Sequence, residues 1–156
     1  MLARALALSL ALALPFPAAA DLGVNLYGLA YHFDRDRAHE LGLDNEFIAG
    51  VGLRYRAAHS ETMQWIVDLS VYDDSGSNTA LLAAAGALWK VSQGWRLGGG
   101  LAAFRSDSYN GGRAFVTPLP LAAYEFRSVT LNFTFVPKIK KLNDVATLAF
   151  WITWWP

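Results

Sequence analysis

The 156-residue chain contains no cysteine, so it cannot rely on disulfide bonds for its stability. Its 13 basic residues are balanced by 13 acidic residues, which gives no argument for a nucleic acid partner. Beyond the N-terminus the sequence has no run of about 18 apolar residues, which argues against a transmembrane helix in the mature chain. Any membrane-spanning role must therefore use β-strands.

The N-terminus is the exception to this shortage of apolar runs. Arg4 is followed by the apolar stretch LALSLALALPFP and by three alanines at 18–20, as in a secretory signal peptide. We predict that residues 1–20 are cleaved before Asp21 and that residues 21–156 form one domain. A permanent anchor is disfavoured because the stretch is shorter than the roughly 20 residues that a spanning helix needs.

Aromatic residues are abundant, with 6 Trp, 6 Tyr and 9 Phe, and the segment TMQWIVDLSVYDDS (62–75) shows their arrangement. Apolar and polar side chains alternate along it, with Ile66 as the single exception. This two-residue period predicts a β-strand. Its apolar face would meet lipid if the strand lined a membrane barrel, or would form the core of a soluble sandwich.

Alternation and turn signals together predict eight strands, at 22–33, 46–57, 62–73, 79–91, 95–106, 113–126, 129–136 and 145–155. In the first strand we expect Tyr27 and the other aromatic residues to face lipid and His32 to point inward. The fourth strand is apolar on both faces, so a helix remains an alternative for LLAAAGAL. The sixth strand is expected to be broken by Pro118 and Pro120.

The connections between these strands differ in length according to their parity. Those after strands 1, 3, 5 and 7 are longer and are charged or rich in Gly and Asn, whereas the others have two to four residues. This pattern predicts an eight-stranded antiparallel up-and-down transmembrane β-barrel in the bacterial outer membrane, with the long loops outside. A periplasmic lipocalin-like barrel is the alternative, and a solute pore is disfavoured because eight strands leave a filled interior.

Candidate chemistry lies at one rim of this barrel. His32 ends the first strand, and Asp74 and Ser75 open the connection after the third, so all three belong to the long-loop end. A histidine base, a serine nucleophile or donor, and an orienting aspartate could transfer an acyl group. The alternative is an inert turn in which Asp and Ser bond their own backbone.

Several motifs in chain order carry a family resemblance: YH in strand 1, YDDS after strand 3, AAAGALW in strand 4 and PLAAYEFRSVTLNFTFVP across strands 6 and 7. Over nearly the whole mature chain they resemble PagP-like outer-membrane lipid A palmitoyltransferases. The resemblance implies acyl transfer from a phospholipid to lipid A or a related acceptor by a membrane-embedded protein, which we expect to be a monomer without metal or cofactor. It also implies that His32, Asp74 and Ser75 are the catalytic residues.

The same resemblance assigns substrate-binding roles to three further residues. Gly86 would form the floor of an interior acyl-chain pocket. Pro120 and Pro137 would flank a lateral gate for lipid, because proline lacks the N–H that a strand ladder needs.

Two alternatives remain open. The barrel could be non-catalytic and bind lipid or stabilise the outer leaflet, which we would infer if His32 lay more than about 10 Å from Asp74 and Ser75. Acidic loop residues could bind divalent cations that bridge lipopolysaccharide phosphates, or they could form an ordinary solvated loop with the neighbouring arginines. These acidic residues are Asp34, Asp36, Asp44, Glu46 and Asp107.

Overall fold

The computed structural model describes residues 20–58, 60–139 and 142–156. These residues contain the strands β1 (Ala20–His32), β2 (Phe47–Ala58), β3 (Met63–Asp73), β4 (Thr79–Lys90), β5 (Trp95–Arg105), β6 (Phe115–Phe126), β7 (Val129–Val136) and β8 (Thr147–Trp154). Each strand pairs antiparallel with its neighbours in the sequence, and β1 pairs with β8 to close the barrel. The predicted eight-stranded up-and-down barrel is confirmed, and the sandwich alternative is wrong. The predicted signal peptide lies outside the described residues, apart from Ala20.

The outer surface of the barrel is an apolar band with aromatic side chains at both ends. Leucine and valine side chains are exposed at mid-height, for example Leu53 and Leu69. Exposed aromatic residues near the short turns are Trp65, Trp89, Trp95, Phe126 and Trp154, and those near the long loops are Tyr31, Phe33, Phe47 and Phe135. An apolar band between two aromatic girdles is the surface that a barrel presents to a bilayer.

Strand β1 corrects one sequence expectation. A bulge between Tyr27 and Leu29 shifts its register against both β2 and β8. A bulge adds one residue to one strand and so exchanges the faces beyond it. His32 points inward as expected, but Tyr27 also faces the interior, and Leu26 faces outward in its place.

Three further segments differ from the sequence expectations. The first long loop contains a short helix, α1 (Arg35–Glu40), which the Asp34 side chain caps by accepting a hydrogen bond from the Arg37 amide. The LLAAAGAL segment is a strand, so the helix alternative was wrong. Strand β6 runs unbroken through both of its prolines, since β5 pairs with it at Pro118 and Pro120. Among the described residues, no helix is both long enough and apolar enough to cross a membrane.

The short-turn half of the lumen is filled by a buried polar network around Arg54, which is 2 % exposed. Arg54 donates two hydrogen bonds of 2.7 Å to the Asp68 carboxylate and one of 2.5 Å to Asn132. Asn25 also donates to Asp68, and Thr153 donates to Asn25. Arg54 and Asp68 thus form an ion pair inside the lumen. Its partners satisfy the charges that burial would otherwise leave unpaired.

Candidate functional site

The two predicted site residues His32 and Ser75 are in direct contact at the long-loop end of the barrel. His32 is the last residue of β1, and Ser75 follows β3 by two residues. The Nε2 atom of His32 lies 2.9 Å from the Oγ atom of Ser75, and the two side chains are 1 % and 5 % exposed. A buried imidazole bonded to a serine hydroxyl is the geometry of a base beside its nucleophile.

Asp74 is adjacent to Ser75 in sequence, but its carboxylate is hydrogen-bonded to loop residues. One oxygen accepts hydrogen bonds from the Gly76 amide at 2.9 Å, the Asn78 amide at 3.0 Å and the Ser108 hydroxyl at 2.9 Å. The other oxygen accepts from the Ser106 hydroxyl. Within the described part of the chain Asp74 and His32 share no hydrogen bond. Asp74 therefore holds the connection after β3 against the connection after β5.

The first long loop fixes the other side of Ser75. The Asn45 backbone amide donates to the Ser75 carbonyl at 3.0 Å, and its side-chain amide donates to the Asp74 carbonyl at 3.0 Å. Three separate loops thus meet at Ser75. Backbone and side-chain bonds from these loops restrict its position, which is what a reactive side chain requires.

Tyr109, which was not predicted from the sequence, lies beside Ser75 at the polar end of the barrel interior. Its side chain lines the same end of the interior cavity as Ser75, and burial, with a smaller contribution from the Asp74 charge, raises the pKa of Tyr109 to about 12. The phenol is therefore protonated at neutral pH and available as a hydrogen-bond donor. The DSYNGG loop after β5 reads as an ordinary turn, so the sequence gives no signal for this role.

Glu46 is the acidic side chain that faces His32. Its Oε1 atom lies 3.8 Å from His32 Nδ1, and it accepts a 3.4 Å hydrogen bond from the His32 backbone amide. From the sequence, Glu46 was expected either to bind a divalent cation or to belong to an ordinary solvated loop with the neighbouring arginines. The residue that precedes β2 lies at the same rim as the end of β1, because consecutive antiparallel strands are joined there, and this was the signal available. No cluster of His, Asp and Glu side chains suited to a metal ion occurs in the described ranges.

A mainly apolar cavity of about 140 Å³ extends from this cluster into the barrel. Asp74, Ser75 and Tyr109 line its polar end. Its walls are lined by small and aliphatic residues, among them Ala84, Ala85, Leu119 and Leu121. Below it, Ile66, Leu88 and Ala123 pack together and, with the polar network around Arg54, close the lumen.

Gly86, the predicted pocket floor, lies on the wall of this cavity opposite Gly100 on β5. A Cβ atom at Gly86 would lie 2.5 Å from the Gly99 carbonyl oxygen and 2.9 Å from the Gly100 Cα atom. The close approach of β4 and β5 therefore requires glycine at this position.

The predicted gate prolines flank the least paired seam of the barrel. Strands β6 and β7 pair only from Leu121–Thr134 to Phe126–Val129. Pro120 lies one residue beyond the last pair, and Pro137 directly follows β7. Between Phe115 and Pro120, β6 pairs with β5 but has no ladder partner on its other side among the described residues. Leu119 and Ile139, which border this seam, line the cavity.

Comparison with known proteins supports the fold. The structure is similar to a de novo designed transmembrane β-barrel, with a TM-score of 0.53 and 13 % sequence identity over 90 % of this chain and 98 % of the designed chain. It also matches Ail, the attachment invasion locus protein of Yersinia pestis solved with the heparin analogue sucrose octasulfate, with a TM-score of 0.40 and 13 % identity over 88 % of this chain and 96 % of Ail. No protein-family model and no curated protein sequence matches the chain. The likeness to the designed barrel, together with the closed eight-stranded sheet, shows the fold of a small transmembrane β-barrel and no more, because function depends on the site rather than on the fold.

Proposed function

We propose that the protein is an outer-membrane acyltransferase that moves a fatty acyl chain from a phospholipid to lipid A or a related acceptor. The observation that carries this proposal is the buried 2.9 Å contact between His32 Nε2 and Ser75 Oγ. The apolar cavity beside the pair and the PagP-like order of motifs support it. The protein would act as a monomer within the bilayer, with phospholipid and lipid A as its partners.

The pair can perform acyl transfer in two balanced steps. Ser75 Oγ attacks the ester carbonyl of the phospholipid while His32 Nε2 takes its proton, and the ester C–O bond breaks as His32 returns that proton to the departing lysophospholipid oxygen. The acceptor hydroxyl then attacks the acyl-serine, its proton passes to His32, and the released Ser75 oxygen takes it back. The protonated phenol of Tyr109 supplies a hydrogen-bond donor in the same cluster.

The cavity suits the apolar part of such a substrate. Its volume of about 140 Å³ is close to that of an engineered apolar cavity of ~150 Å³ that binds benzene. It accommodates a short segment of an acyl chain in its present form. The unpaired seam between β6 and β7, flanked by Pro120 and Pro137, offers the remainder of a longer chain a route to the bilayer.

Mass spectrometry of lipid A from a Gram-negative host tests the proposal. Lipid A from cells that express the wild-type protein should gain one acyl chain. His32→Ala should reduce the amount of this product by at least about 100-fold, the usual contribution of a general base, and Ser75→Ala should abolish it because the nucleophile is removed. His39→Ala and Ser92→Ala are matched controls, since both side chains are exposed and outside the cluster. If the acylation pattern of lipid A is the same in all strains, although the barrel is shown to be inserted in the outer membrane, the proposed acyltransferase activity is rejected.

A non-catalytic lipid-binding barrel is the second candidate, and the apolar character of the cavity favours it independently of any chemistry. It predicts that lipid co-purifies equally with the wild type and with Ser75→Ala, and that neither protein changes lipid A. Mass spectrometry of the purified protein in detergent distinguishes the two functions.

A further inference from the structure

One nitrogen of the site histidine lacks the partner that its burial requires. His32 is 1 % exposed, and its Nδ1 atom makes no hydrogen bond with any residue that the structure describes. A buried ring nitrogen without a partner loses its hydration without compensation. The carboxylate oxygen Oε1 of Glu46 lies 3.8 Å away. This distance is longer than a hydrogen bond, but catalytic contacts in unliganded sites are often long and tighten when substrate binds.

Glu46 is itself fixed in place. Arg35 donates a hydrogen bond to each carboxylate oxygen of Glu46, from Nε to Oε1 at 3.2 Å and from Nη2 to Oε2 at 2.9 Å. The Arg35 guanidinium lies 5.0 Å from the centre of the Tyr31 ring, which restricts it further. The His32 backbone amide also points at Oε1. A bidentate arginine fixes the orientation of a carboxylate more firmly than a lysine would.

We propose that Glu46, held by Arg35, is the positioning carboxylate for His32, and that Asp74 does not fill that role. This inference rests on the proposed acyl transfer and adds Glu46 to the residues that would take part in it. A carboxylate facing Nδ1 keeps the proton on that nitrogen, which leaves the lone pair of Nε2 free to take the Ser75 proton. It also stabilises the imidazolium that forms once the proton has moved.

Asp74 is unsuited to this role because its carboxylate is already bonded to the loops around it. It receives hydrogen bonds from Gly76, Asn78, Ser106 and Ser108. To reach His32 it would have to release the loops that shape the Ser75 turn. Asp74 and Glu46 therefore have separate tasks, which variants can distinguish.

Nitrogen-15 NMR of histidine-labelled protein in detergent micelles tests the pairing without any need for turnover. The His32 signal is assigned as the one that His32→Ala removes. We expect the wild type to hold the proton on Nδ1, and Glu46→Gln to move a measurable share of it to Nε2. Glu40→Gln is the matched control, since Glu40 is an exposed acid of the same loop that pairs with Arg37. A Glu46→Gln spectrum identical to that of Glu40→Gln, or a tautomer change in Asp74→Asn alone, would overturn the proposal.

Kinetics with a phospholipid donor then tests the consequence for catalysis. Glu46→Gln should lower kcat by about 10- to 100-fold with KM nearly unchanged, because it alters proton transfer and leaves the lipid contacts in place. Glu46→Asp should restore part of this loss. Full activity of Glu46→Gln, while His32→Ala and Ser75→Ala are inactive, would reject this inference and leave the proposed function standing. If the wild-type protein is inactive, the proposed acyltransferase function is rejected instead. The NMR result would still decide whether Glu46 pairs with His32.

Discussion

At the scale of single residues, Gly86 gives the most direct test of packing. Gly86→Ala would bring a methyl group within 2.5 Å of the Gly99 carbonyl oxygen, and neither backbone can move without disturbing its ladder. We expect the substitution to lower the free energy of unfolding by about 1–3 kcal/mol, the usual cost of overpacking. Guanidinium unfolding in detergent micelles would measure this change.

Gly28→Ala is the matched control for Gly86→Ala. Gly28 also lies inside a strand, but a Cβ atom there would meet no atom of the described residues within 4 Å. If Gly86→Ala and Gly28→Ala lower the free energy of unfolding equally, the effect comes from the loss of glycine itself and not from the close approach of β4 and β5.

The residues of the site differ in how far the sequence could predict them. His32 ends the first strand and Ser75 follows the third by two residues, so their shared rim follows from the order and parity of the strands. Glu46 and Tyr109 come from loops whose course depends on tertiary contacts such as the Asn45–Ser75 hydrogen bond. Local patterns do not encode such contacts. The assignment of His32, Asp74 and Ser75 as catalytic residues stays a prediction.

At the scale of elements, the seam between β6 and β7 should be the most mobile part of the barrel wall. Within the described ranges, residues 115–119 have no second neighbouring strand, whereas residues 121–126 lie between β5 and β7 over most of their length. We expect the first group to exchange hydrogen clearly faster than the second, because unpaired amides open without breaking a ladder. Hydrogen-exchange mass spectrometry in micelles would compare the two peptides. Equal protection would show that the seam is closed by other contacts.

Strand boundaries were predicted best where turn residues and alternation agreed. Strand β7 has the predicted bounds, Val129–Val136, because a tight turn precedes it and a proline follows it. Strand β1 was predicted with the wrong inner face before Gly28, since a bulge leaves no mark in a sequence that is apolar on both faces. The continuous pairing of β6 through two prolines was missed because its neighbour β5 supplies the pairing that proline disfavours locally.

At the scale of the whole molecule, the lumen is divided by chemistry along its axis. A polar network around Arg54 fills the short-turn half, an apolar cavity occupies the middle, and a buried polar cluster around Ser75 forms the long-loop end. This order leaves the lumen filled below the cavity, which does not suit a pore. It also puts His32 and Ser75 at the end of the barrel that we expect to face the outer leaflet.

The apolar outer band leads to a prediction about where the whole barrel resides. Leu69 lies at mid-height, paired with Leu53 and Ala83, and is 59 % exposed, whereas Phe126 lies beside a short turn. In phospholipid vesicles Leu69→Arg should cost about 2–4 kcal/mol of unfolding free energy and Phe126→Arg only about 0–1 kcal/mol, because a charge at the bilayer midplane is far from water. Guanidinium unfolding followed by tryptophan fluorescence would measure both. On a barrel surrounded by water, both exposed positions would change stability by no more than about 0.5 kcal/mol, so equal and small effects would contradict a membrane location.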